Sequence, residues 1–367
     1  GVLIRENAPA VYLVEQAFPM NGSRYVRHGV ICAMLLEEFS SKHVLPHERT
    51  MAEPKADRLR LMEACHANLS PIFGAFSDAE GRADALLQEM AAGMPLYEFC
   101  RADRVTYTIW RVDNEAAIGQ LASLLRDETL FIADGHHRYE AALRYREEHR
   151  SVEGPPGSAP EDFLPVFCAS VSSPGLRILP THRLVKAPGP FRPDIVLEAL
   201  GEFFSVSQEL VKGPESLRQA FGPSAKRGAC IGFYVSPERL YILEPTSDDV
   251  LAERLPDRLP EWRRQPVTLL HYAILERLFA IPAEAEAAHP RLFLSQNVEK
   301  VYWRVESGTY DAGFLLPPTH PATVEAIARG GERMPPKSTF FFPKIASGLL
   351  FYAFDDEEGP PRIPDSR

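Results

Sequence analysis

A chain of 367 residues with 45% hydrophobic and 25% charged side chains has an ordinary globular composition and room for two or three domains. The net charge is −10, with Arg and Lys dispersed, which argues against a duplex nucleic-acid partner because that partner needs a basic stripe. No apolar run has the length of a membrane span, no basic and apolar leader opens the chain, and five scattered cysteines suit a reducing cytoplasm.

In chain order, residues 11–18 alternate as a strand and lead into an Asn21-Gly22 turn. Residues 28–39 hold a continuous apolar stretch. A helical pattern over 55–69 sets Leu59, Met62, Ala64 and Cys65 on one face, and 84–90 predicts a second helix. From 104 to 149 the pattern is strand, helix, strand, helix, the grammar of an α/β unit. A Gly- and Pro-rich linker at 153–160 precedes a buried strand at 164–172, and a second Pro-rich boundary spans 187–193. Beyond it come a helix at 195–204, a hairpin at 231–243 and an apolar helix at 267–279. Alternating strand and helix signals follow at 301–328, then aromatic-rich strands at 337–345 and 349–354. No internal repeat is present.

The most informative segment runs from Phe131 to Leu143. Its apolar residues end a buried strand, and an Asp134-Gly135 turn opens a helix with His136, His137 and Arg138 in the first turn. Amides there lack intrahelical partners and the dipole is positive, so the corner suits a phosphate. The plainer reading is a strand-to-helix turn capped by Asp134, with solvated histidines; two histidines and an arginine together weigh against it.

Pro46-His47-Glu48-Arg49-Thr50 begins like a zinc-protease helix, but Met51 stands where the second histidine belongs. Glu48 is instead a candidate general base, weighed against an exposed loop with a capping acid. Lys337-Ser338-Thr339 lacks the glycines of a P-loop, although Lys337 and Lys344 offer charge to a pocket. Leu179-Pro180-Thr181-His182-Arg183 is a fourth polar cluster, and Asp57-Arg58 suits a salt-bridged helix face. Neither a Gly-x-Ser-x-Gly elbow nor a Gly-x-Gly-x-x-Gly fingerprint is present. A metal site from His47, Glu48, His136 and His137 is the minor alternative, since adjacent histidines rarely share one ion, and no metal ligand is assigned.

The 46–50, 133–142, 179–183 and 336–344 motifs together resemble domain-of-unknown-function family 1015. Its members usually carry a further N-terminal segment, which the resemblance implies is missing here, and Gly1 in place of Met suggests trimming. More distantly, Gly135-x-x-Arg138-Tyr139-x-Ala141-Ala142 resembles the phosphate-binding box of the ParB/sulfiredoxin fold. The pairing of Pro-His-Glu with a later Asp-Gly-His-Arg turn is similar to free-serine kinases. The chain departs from ParB in its acidic surface and from sulfiredoxin in having His136 and His137 where a reactive cysteine stands.

The resemblance implies an α/β (α+β) fold with a ParB/sulfiredoxin-like nucleotide-binding core over 1–186. An inserted or second α+β region then covers 187–290, strands at 291–355 return to the core, and 356–367 form a disordered tail. It implies phosphoryl transfer from ADP or ATP with Mg2+ to a small hydroxyl such as serine, or phosphoserine hydrolysis. Glu48 takes the proton and His47, Asp134 and His136 complete the catalytic set. Gly135, His137, Arg138 and Lys337 hold phosphate, supported by Arg58, His182, Arg183, Ser338 and Thr339. The contrasting expectations are a non-catalytic nucleotide or phosphometabolite regulator and a metal-dependent hydrolase. Oligomeric state is not readable from the sequence.

Overall fold

Asn21 and Gly22 both take left-handed backbone angles (φ 50° and 77°), the geometry that a two-residue hairpin turn demands and Asn-Gly supplies. They join β1 (Val11–Met20) to β2 (Ser23–Leu35), in register from Met20↔Ser23 to Tyr12↔Ile31. This computed structural model describes residues 4–151, 153–282 and 289–354. Its contacts divide the chain into two units, one from residues up to Arg177 together with those from Phe341 onward, the other Ile178–Phe340. Residues 356–367, the expected tail, lie outside the described residues.

The first unit adds β3 (Val44–Pro46), β4 (Ala67–Asn68), β5 (Ile72–Phe76), β6 (Tyr97–Cys100), β7 (Thr106–Val112), β8 (Leu130–Asp134) and β9 (Phe163–Ser170). Eight strands form one mixed sheet in the order β3-β8-β5-β9-β2-β1-β7-β6, with β3–β8 and β5–β9 parallel. Helices α1 (Ala52–Cys65), α2 (Arg82–Met90), α3 (Glu115–Leu125) and α4 (His136–His149) bring Leu59, Met62, Leu87, Leu121 and Tyr139 into one core with Val30, Ile72, Ile132 and Val166. All these side chains are buried, and their removal from water is the main force holding helices to sheet.

The helix predicted over 55–69 starts earlier and stops at Cys65, where His66 turns left-handed (φ 46°) and Ala67–Asn68 pairs with the strand Tyr352–Ala353. The 153–160 segment is held rather than loose. Arg150 donates to Gly154 O (2.9 Å), Pro155 O (2.7 Å), Ser158 Oγ (2.9 Å) and both Asp162 oxygens (2.9 Å).

The second unit carries β10 (Arg177–Leu179, at its boundary), β11 (His182–Val185), β12 (Phe204–Leu210), β13 (Ile231–Val235), β14 (Arg239–Pro245), β15 (Leu292–Ser295) and β16 (Ala312–Leu315). Six of them form a sheet ordered β12-β14-β13-β16-β11-β15. Alternation along β13 splits the core. Tyr234 joins Leu217, Phe221 and Val301 beneath α6 (Pro214–Arg227) and α10 (Val298–Glu306). Phe233 stacks on Phe314, which meets Phe279 edge-on. The helices before α6 and after it are α5 (Pro193–Leu200), α7 (Pro260–Arg263) and α8 (Pro266–Leu269). From α8 the predicted apolar helix continues through a π-helical turn (Leu270–Leu275) into α9 (Glu276–Leu278). The last helix is α11 (Pro321–Arg329). Strand β12 was not predicted; six of its seven residues are exposed, so it has no apolar alternation to read.

Candidate functional site

Parallel pairing of β3 with β8 sets Pro46 opposite Ile132, so the Pro46–Thr50 turn and the Asp134–Arg138 corner leave the sheet side by side. The His47 Nδ1–H donates to Ile132 O (2.8 Å), and the His47 amide donates to His136 Nε2 (3.3 Å). The two rings meet edge-on, 4.7 Å between centroids. One turn further, the Met51 amide, at the N-cap of α1, donates to His137 Nε2 (3.0 Å). Thr50 Oγ1 (2.7 Å) and Lys55 Nζ (2.9 Å) both reach Glu140 Oε2 on α4.

These bonds fix protonation. His47 is fully buried, and burial pushes it down to about 4 against the weaker pull of the Ile132 carbonyl and the Asp134 charge. It is neutral at pH 7, with its proton on Nδ1. His136 and His137 each accept an amide hydrogen at Nε2, which requires that nitrogen to be unprotonated. Glu48 is half-buried beside His47 in the chain.

Gly135 makes the corner possible. Its φ of 100° is left-handed, and a Cβ there would lie 2.9 Å from both Ile72 Cγ2 and Arg138 Nη2. Gly135 is the N-cap of α4, and Asp134 does not cap the helix. Asp134 is instead held by two cations, Arg138 Nη2 (3.0 Å) and Lys344 Nζ (2.7 Å). Arg138 also donates through Nη1 to Ser70 O (3.3 Å), Ser70 Oγ (2.9 Å) and Pro71 O. Burial lowers the Arg138 pKa, with Asp134 opposing the shift and the exposed Arg58 on α1 adding to it. Arg58 itself meets Asp57 at 3.8 Å, as a salt-bridged helix face requires.

Lys344 is the lysine of the 336–344 motif that enters this corner. Its carbonyl accepts from Tyr107 Oη (2.7 Å) and Gln16 Nε2 (3.3 Å). Beneath it lies Arg27, wholly buried, donating to Gln16 Oε1 (Nε, 3.0 Å), Phe342 O (3.4 Å) and Pro343 O, with its guanidinium 4.5 Å from the Phe73 ring centre. Burial pushes Arg27 down to about 9. No sequence signal separates Arg27 or Gln16 from the solvated polar residues that alternate along any hairpin.

The other expected residues belong to the second unit, where they meet one another. His182 is buried and accepts the Leu316 amide at Nδ1 (3.1 Å); burial, then the Arg183 charge, push it down to about 3. Arg183 is fully buried and donates to Thr181 O, Pro336 O (3.4 Å) and Lys337 O (3.2 Å). Lys337 is exposed at a left-handed turn (φ 58°), Ser338 Oγ donates to Pro335 O, and Thr339 is half-buried. Among the described residues, the three acidic or histidine donors that cluster within 4.8 Å are Glu63, Glu148 and His149, not the 47–48 and 136–137 set. No helix among the described residues is long and apolar enough to cross a membrane.

No curated protein matches this chain. Among solved structures, a conserved hypothetical protein from Pyrococcus furiosus is similar at 13% identity and a TM-score of 0.40, over 87% of this chain and 93% of its own. A free serine kinase in complex with AMP is similar at 13% identity and TM-score 0.40, over 85% and 86% of the two chains. SbnI with C-terminal truncation from Staphylococcus aureus is similar at 10% identity and TM-score 0.41, over 87% and 85%. The model of the family described as "Protein of unknown function (DUF1015)" matches residues 1–268, and the chain belongs to that family.

Proposed function

We propose that the corner between the His47-Glu48 turn and the start of α4 is a phosphoryl-transfer site, with ADP or ATP as donor and a small hydroxyl compound, serine in the first instance, as acceptor. The observation that carries this reading is the convergence of two separate sequence motifs through the β3–β8 pairing, with His136 and His137 bonded to the turn that bears Glu48. Glu48 takes the proton as the hydroxyl oxygen attacks phosphorus, and the nucleotide leaves with one phosphate fewer. Amides after Gly135, together with Arg138 and Lys344, balance the charge of the transferring group, since this chemistry needs mainly positioning and charge stabilisation. Both Asp134 oxygens already have cationic partners, so this corner does not fit a dedicated magnesium site. With water and phosphoserine in place of donor and acceptor, the same groups run hydrolysis. Five cysteines without a disulfide support a reducing compartment, the cytoplasm, as the place of this reaction.

One observation favours a second reading, a non-catalytic nucleotide or phosphometabolite sensor. Both histidines accept amide hydrogens, and Arg138 is bonded to the Ser70 and Pro71 carbonyls, so these groups already have protein partners. Glu48→Gln separates the two. Under phosphoryl transfer, conversion of serine and ADP or ATP falls about a hundredfold or more while nucleotide binding persists. Unchanged turnover removes Glu48 as the base. No turnover in the unmutated chain, with nucleotide binding that Arg138→Ala weakens, establishes the sensor.

A further inference from the structure

The second unit contains a cavity of about 240 Å³ that the proposed chemistry does not use. Its polar lining is Arg264, Gln265, His320, Ser338 and three threonines, Thr181, Thr319 and Thr323, and no carboxylate lines it. In a chain of net charge −10, that lining carries one cation, Arg264, and no anion. Thr181 and Ser338 come from two motifs singled out in the sequence, and the structure sets both in this one wall.

Ser338 Oγ donates to Pro335 O, Thr319 Oγ1 to Ser338 O (3.5 Å) and Gln265 Nε2 to Glu261 O (2.9 Å), so the donors left for a ligand include those of Thr181, Arg264 and His320. Thr181 is 3% exposed, and its Oγ1 accepts from Gln296 Nε2 (3.3 Å), leaving the hydroxyl proton without an acceptor among the described residues. Arg264 is exposed, and its guanidinium has no hydrogen bond or ion pair among the described residues. The nearby carboxylate, Asp249, is taken by Arg263 (Nε at 2.9 Å and 3.0 Å) and feels Arg264 only through space. His320 caps α11 by accepting the Ala322 amide at Nδ1 (3.3 Å), which places the neutral ring's proton on Nε2. Pro266 and Val267 bring the positive start of the α8–α9 run to the same wall, where first-turn amides lack helical partners. Pro317 and Pro318 stiffen the rim.

We propose that this cavity is a second binding site, specific for the oxyanion group of a small metabolite, phosphate or carboxylate, with Arg264 as its charged contact. The volume lies below the usual range for drug-sized ligands, roughly 300 Å³ and upward, so the site encloses a small group rather than a whole nucleotide.

The test is calorimetric titration of the full chain, at low ionic strength, with inorganic phosphate, pyrophosphate and citrate, each against a chloride control. At least one oxyanion is expected to bind saturably, and the strongest of the three tells phosphate from carboxylate. Arg264→Ala is expected to weaken it roughly tenfold to a hundredfold, the worth of a charge-assisted contact, and Arg264→Lys to recover part of the loss. Thr181→Val tests the buried hydroxyl independently and is expected to weaken binding severalfold with thermal midpoint retained. Arg138→Ala is expected to leave this binding unchanged. Absence of saturable binding by all three probes overturns the proposal, and so does binding that Arg138→Ala weakens and Arg264→Ala does not. The second result leaves the phosphoryl-transfer reading standing.

Discussion

The Asp134 corner and the cavity of the second unit both gather cations and hydrogen-bond donors, yet they differ in what those groups already hold. At the corner, Asp134 has two cations, Arg138 has three oxygen partners besides it, and both helix-start histidines receive amides. Along the cavity wall, Arg264 and the Thr181 proton have no such partner among the described residues. A satisfied cluster resists rearrangement and costs stability when broken. An unsatisfied one costs little to alter and gains most from a ligand. Residue type alone does not distinguish them; the partners do.

The largest expected effect lies beneath the corner. Arg27→Ala leaves Gln16 and the Phe342 and Pro343 carbonyls without their buried donor, and at about 1–3 kcal/mol for each buried acceptor left unsatisfied should cost about 3 kcal/mol or more in urea unfolding. A loss under 1 kcal/mol would show that this region is not wired as described. Next comes acidity. His47 falls from an ordinary value near 6.5 to about 4 in the folded chain, so the unfolded state takes up its proton first. Stability is therefore full above pH 6.5 and declines as pH falls toward 4, by about 2 kcal/mol at pH 5 from this residue alone. His182, pushed down to about 3, acts in the same direction. His47→Asn keeps a donor for the Ile132 carbonyl and should flatten part of that profile; an unaltered profile would place the titration elsewhere. Smaller still is Lys344→Ala. The lysine is 50% exposed against 29% for Asp134, so solvent screening limits the loss to about 1 kcal/mol or less, shrinking further in high salt. Last, Arg264→Ala should change stability by no more than about 0.5 kcal/mol, even as it weakens oxyanion binding. A clear destabilisation there would erase the contrast between the two regions.

Local chemistry was legible in the sequence. Asn21-Gly22, the 130–134 strand turning into α4 at Gly135, and the 231–245 hairpin all rest on residues whose preferences act within a few positions. So was the mixed α/β class, which follows from alternating strand and helix periods. The neighbours of Asp134 were harder to read. Arg138 is one helical turn away and could be inferred; Lys344 arrives by chain return, and the motif's other lysine, Lys337, was the one named for the site. Buried polar residues are similarly silent, because Arg27 and Arg183 look in sequence like any surface arginine. Strand β12 escaped for the opposite reason, its exposed faces leaving no hydrophobic period.

The return of Phe341–Lys344 to the first unit has a consequence for how the chain is made. Synthesis proceeds from the N-terminus, and Arg27, Gln16 and Asp134 are all translated long before the carbonyls and the ammonium group they bind. The whole of 178–340 must emerge in between. Until it does, the first unit holds an arginine that cannot be buried with its partners and a carboxylate with one cation instead of two. Completion of this site thus reports that synthesis has passed residue 344, and a ribosome that stops before it leaves a product without the Lys344–Asp134 pair.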